Sequence, residues 1–151
     1  VSANANAALV PADPDWEARV RASFARQGAM ALLGAAIEQL EPGVCVVGAA
    51  YRPDLAQQHG FFHAGVTSAI ADSAGGYAAL TLFPPGTDVL TVEFKINLIA
   101  PAHGDALRAR GEVVRGGRTL TICRVDVEVV RAGAATVCAV MQQTLMRVAA
   151  R

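Results

Sequence analysis

From Ala64 to Phe83 the chain reads AGVTSAIADSAGGYAALTLF, with one charged residue, Asp72. Small and apolar side chains go nearly all the way round a helix of this composition, so no face of it suits water. Such a helix must be enclosed by other elements, and the C-terminal half of the chain can enclose it. In VLTVEFKINLIAPA, Val92, Phe94, Ile96 and Leu98 alternate with Thr91, Glu93, Lys95 and Asn97, the period of a half-buried strand. ALRARGEVVR reads as a weaker strand, and RGGR (Arg115 to Arg118) as a hairpin turn. TLTICRVDVEVVR places Cys123, Val125, Val127 and Val129 on one face, and AGA (Ala132 to Ala134) turns the chain into ATVCAVMQQTLMRV. The pattern predicts an α+β fold, a meander of four strands wrapped around one buried helix that PPGTD (Pro84 to Asp88) ends.

Upstream, Asp13-Pro14 predicts a helix start, with Asp13 as the cap and proline in the first turn. Trp16, Val20 and Phe24 form its apolar face, and Gly28 is its expected end. ALLGAAIEQL and VCVVGAAY, on either side of Glu41-Pro42-Gly43, predict a hairpin; Arg52 to Phe62 is a loop. Residues 1–12 read as a flexible N-terminal tail without the pattern of a secretory signal, and residues 13–151 as a single domain.

Hydrophobic residues make up 53% of the chain and charged residues 17%, which is apolar for 151 residues and points to surface hidden in a homo-oligomer. Thirteen basic and thirteen acidic residues balance, with no charge run, so neither nucleic acid nor a membrane surface is an expected partner. Cys45, Cys123 and Cys138 lie in apolar runs without metal-type spacing, as reduced core thiols of a cytoplasmic protein would.

Gln57, His63 and Asp72 carry a resemblance. The pattern Q-x5-H-A-G-x6-D-x-A, then VEFKINLIAPA, then RGGRTL, is similar to the hotdog-fold acyl-CoA thioesterases of the phenylacetate-degradation (PaaI-like) family, from about Ala31 to the C-terminus. The resemblance implies a hotdog fold, an antiparallel sheet wrapped around one long central helix. It also implies dimers or dimers of dimers with active sites at the dimer interface, an acyl-CoA substrate, and no cofactor or metal.

Asp72 would then be the general base or the nucleophile, and desolvation in an apolar interface would raise its pKa. Helix-end amides or an arginine could instead satisfy the same carboxylate. The family's oxyanion donor is the backbone N–H after the histidine, which here belongs to Ala64 in place of the usual glycine and survives that exchange. The Gln57 amide would orient the carbonyl oxygen or a water, with Gln58 its rival by one position. His63 would position the helix start, and Thr91 would help hold the water. Gly65, Phe62 and Ser73 would lie against the substrate, and Arg115 and Arg118 would meet the phosphates of coenzyme A. Phe61, Tyr77 and Phe83 are candidates for shaping the acyl pocket or for plain core, and Gly75-Gly76 suggests close approach of a second helix or room for the acyl chain. His59 and His63 are four apart but lack a third metal ligand, and His103 reads as a turn residue. Two other readings use the same fold: a module that binds acyl-CoA without turning it over, and a dehydratase of 3-hydroxyacyl thioesters.

Overall fold

The computed structural model describes residues 9–150; most of the expected tail, residues 1–8, lies outside the described residues. The elements in chain order are α1 (Trp16–Ala25), α2 (Gly28–Leu33), β1 (Ala35–Glu41), β2 (Val44–Ala50), a short 3-10 turn (Pro53–Leu55), α3 (Ala64–Leu80), β3 (Thr87–Leu98), β4 (Ala106–Gly116), β5 (Leu120–Arg131) and β6 (Ala134–Ala149). The six strands form one antiparallel sheet in the order β1-β2-β4-β5-β6-β3. Helix α3 lies in the concavity of that sheet, which is the hotdog arrangement the resemblance implies. From Ser73 to Leu80 every residue of α3 is buried, as expected of a helix with no water-facing side.

The helix sits unusually close to β4. A Cβ built on Gly111 would stand 2.5 Å from the Ala74 carbonyl and 2.6 Å from the Gly75 nitrogen, so the absence of a side chain at Gly111 sets the helix–sheet spacing. The inward rows of β4, β5 and β6 supply much of the remaining core, including Leu107, Ala109, Val125, Val127, Met141 and Leu145. Among the described residues no helix is long and apolar enough to cross a membrane.

Four local expectations change. Helix α1 begins at Trp16 with Asp15 as cap residue; Asp13 instead accepts the Asp15 N–H (2.9 Å) and pairs with Arg19 (2.6 Å). Arg19 also donates to the carbonyls of Phe83 (2.7 Å) and Thr87 (3.1 Å), so this pair ties α1 to the chain leaving α3. Gly28 starts α2 rather than ending α1, and Ala31–Leu33 belong to that helix, which Gly34 stops in the left-handed region at φ 67°. The four later strands are not a simple meander: β3 pairs with β6, while β4 pairs with β2 on the opposite side of the sheet.

The fourth change is in β3. A bulge between Thr91 and Glu93 interrupts the alternation, so Thr91 lies opposite inward Leu145 while Phe94 lies opposite inward Gln143. Thr91 and Phe94, expected on opposite faces, therefore share the inner one. β3 is also an edge strand; Val89 and Ile96 pack on the core, but other apolar side chains of the strand are left open. Phe94 is 44% exposed, Leu98 54% and Val92 55%.

Candidate active site

The loop before α3 is pinned by its own backbone. Gln57 N–H donates to the Phe61 carbonyl (2.8 Å), Ala56 bridges to Phe62, and His63 N–H donates to the Leu55 carbonyl (2.9 Å). His63 is the N-cap residue of α3, and its Nδ1 accepts the Gly65 N–H at 2.8 Å. The His63 carbonyl takes the N–H groups of Val66 and Thr67 at 3.0 and 3.1 Å. Among the described residues nothing accepts the Ala64 N–H, so the first amide of the helix remains a free donor. The Gln57 Oε1 accepts the N–H of His59, which leaves Nε2 to donate. Gln57 and Ala64 line one cavity of about 420 Å³ together with Phe62, Thr67 and Leu98. Phe62 is also core, buried and set edge-on against Tyr51 at 5.3 Å between centroids.

Asp72 lies eight positions further along α3 and opens onto a different cavity, about 460 Å³, shared with Ser73, Gly76, Tyr77 and Thr91. Within the single chain Asp72 is half-buried rather than enclosed. Thr91 Oγ1 donates to its Oδ1 at 2.7 Å, which the β3 bulge makes reachable. Gln143 Nε2, from β6, donates to the same Oδ1 at 2.5 Å and to the Asp72 backbone carbonyl at 3.2 Å. Among the described residues neither a cation nor a helix-end amide pairs with this carboxylate, and Oδ2 accepts no hydrogen bond. Ser73 Oγ donates to Gln27 Oε1 (3.2 Å), and Gln27 Nε2 donates to the Tyr77 hydroxyl (3.0 Å), so the far wall of this cavity is polar. Burial raises the Tyr77 pKa above its ordinary value, against the lowering effect of its hydrogen bonds.

The two glycines beside Asp72 separate in role. A Cβ on Gly75 would collide with Gln143 Oε1, so Gly75 makes room for that amide; Gly76 faces open space. Sequence reasoning misses Gln143. Its signal is the one that marks Asp72, a polar group in an apolar row: Met141, Gln143 and Leu145 all point inward and all are buried. Arg115 and Arg118 flank the tip between β4 and β5, exposed and without salt bridges among the described residues, and they line neither cavity. Gln58 and His59 are exposed in the loop, and Phe61 lies 5.2 Å from the His103 ring. Phe83 is core beneath the Arg147 guanidinium. Among the described residues no three His, Cys, Asp or Glu side chains gather as a metal site would need.

Comparison with known proteins adds to this geometry. The thioesterase superfamily family model matches residues 59–138, just over half of the chain and inclusive of α3 and Asp72. A thioesterase family protein from Silicibacter pomeroyi has a similar crystal structure, with 46% identity and a TM-score of 0.88 over 89% of this chain and 99% of that one. A candidate esterase of Saccharolobus solfataricus is 32% identical over 87 residues, which are 58% of this chain and 61% of the relative; the match thus spans less than two thirds of that protein. The PaaI protein of the phenylacetic acid degradation operon of E. coli shares the fold at 18% identity, with a TM-score of 0.79 over 91% of this chain and 96% of its own.

Proposed function

The chain belongs to the thioesterase superfamily, and from that membership we propose that it is an acyl-CoA thioesterase that splits a small aromatic or short- to medium-chain acyl-CoA into free acid and coenzyme A. One observation carries the reading. Among the described residues, a helix-start donor without an acceptor and a carboxylate with one free oxygen sit on the same helix but open onto different cavities. Eight residues of helix separate Ala64 from Asp72 by about 12 Å, too far for both to meet one carbonyl group. Two copies related by a twofold axis remove the difficulty, because each can offer its Ala64 end to the other's Asp72. The uncovered apolar edge of β3 is where such a pair would join.

In the assembled site, the thioester oxygen rests against the Ala64 N–H, where the helix start favours developing negative charge. The Gln57 Nε2 donates to the same oxygen or to the attacking water. His63 and Gly65 hold the first turn in shape. Asp72 Oδ2 either removes a proton from water, which adds to the carbonyl carbon, or adds to that carbon itself to give a mixed anhydride that water opens. The carbon–sulfur bond breaks, and the sulfur leaves with the electron pair and takes up a proton. Thr91 holds Asp72 through Oδ1. Ser73 and Phe62 lie where the acyl group approaches, and Arg115 and Arg118 supply cations for the coenzyme phosphates from the tip between β4 and β5.

Release of free thiol from a panel of acyl-CoAs tests this, with the wild type and Asp72→Asn side by side. The expected outcome is turnover by the wild type and a loss of roughly a hundredfold to ten-thousandfold in the variant, with binding retained. Tight acyl-CoA binding without turnover in the wild type would favour the binding module instead.

A further inference from the structure

We propose that Gln143 is a positioning residue: its amide fixes one oxygen of Asp72 so that the other faces the thioester. The role rests on the thioesterase reading. Gln143 is fully buried in a row that is otherwise apolar, where leucine or methionine would pack without polar cost. Its Oε1 is buried with no hydrogen-bond partner among the described residues, and the chain keeps a glycine at position 75 to give that oxygen space. A buried glutamine with one end unsatisfied is retained for its other end. That end makes contacts with Asp72 only an N–H can make, to Oδ1 (2.5 Å) and to the backbone carbonyl (3.2 Å). A reversed amide would set oxygen against oxygen, so Asp72 itself fixes the orientation.

The consequence is an unequal carboxylate. Gln143 and Thr91 both donate to Oδ1, from β6 and β3, and lock the rotation of the group. Oδ2 is left as the oxygen that works. Both donors reach the carboxyl group itself, so a change at either is read at Asp72 directly. The other titratable groups on this cavity are Arg26 from the end of α1, Tyr77 on α3 and Asp88 on β3. None is altered by a change at Gln143.

The test titrates the Asp72 carboxyl by carbon NMR, identified by its loss in Asp72→Asn, and measures acyl-CoA hydrolysis across pH. Two variants are used. Gln143→Leu removes the donor, and Gly75→Ala leaves the glutamine but drives a methyl group into its Oε1. In both, the Asp72 signal and the acid limb of kcat/KM should move together from their wild-type positions, because the hydrogen bonding of the carboxyl has changed. In both, kcat should fall roughly tenfold to a hundredfold, the scale seen when the support of a functional group is lost, with KM little changed. If one variant fails to fold, the other carries the comparison. An unmoved Asp72 titration in a folded variant overturns the proposal even where the rate falls, since packing alone would explain that loss. If the wild type hydrolyses no acyl-CoA but the titration still moves, the thioesterase reading fails and the hold of Gln143 on Asp72 stands.

Discussion

Cys45 and Cys123 face the space between α3 and the sheet, and burial pushes both thiols up to about 12. Burial also raises Cys138. A thiol that resists ionisation in the fold but ionises freely when unfolded makes stability depend on pH. The folded value lies above the ordinary value of 9.0, so the contribution is complete below pH 9 and is lost as pH rises toward about 12. The melting temperature should therefore decline through that window, and a Cys45→Ala, Cys123→Ala double variant should decline less steeply; equal slopes would show that other groups set the alkaline limit. The residues legible in the sequence are those close together in the chain. Gln57, His63, Ala64 and Asp72 lie within one loop and one helix, so their spacing carries information. Gln143 lies on a strand seventy-one positions from Asp72, and no local spacing links the two. Only its misfit within an inward apolar row marks it.

Element by element, the alternating strands and the enclosed helix are legible because burial leaves a period in the sequence. The changes come where a tertiary contact outweighs local pattern. Asp13 has the look of a cap, but Arg19 draws it into a network that holds the far end of α3. The β3 bulge leaves no mark, since VLTVEFKINL alternates cleanly and only pairing with β6 shows the extra residue. Yet that residue turns Thr91 toward Asp72. Contact between α3 and β4 yields a prediction at this scale. Gly111→Ala places a methyl group against backbone that cannot swing aside. It should cost about 1–3 kcal/mol, the usual penalty for overpacking, read as a lower urea midpoint. An unchanged midpoint would mean that the helix can lift from the sheet without loss.

At the scale of the whole molecule, the β3 edge of the sheet is uncovered. β3 offers one row of backbone groups to β6 and leaves the other row open, beside Val92, Phe94 and Leu98. Composition gives the hint, since 53% hydrophobic residues is apolar for a chain of this length; the location of the exposed part needs the strand order. Val92→Asp lies outside both cavities. It should shift sedimentation toward the monomer and reduce hydrolysis in the same proportion, whereas a fully active monomer would remove the shared-site arrangement. The distance between the start of α3 and Asp72 then reaches into genetics. On the shared-site arrangement proposed above, a copy damaged only at Asp72 and another damaged only at Gln57 would form mixed pairs that contain one whole site. Random pairing of the two leaves about a quarter of full activity, so two defective alleles partly rescue one another. A copy damaged at both Gln57 and Asp72 would behave in the opposite way: paired with a healthy subunit, it would silence both sites and act as a dominant inhibitor.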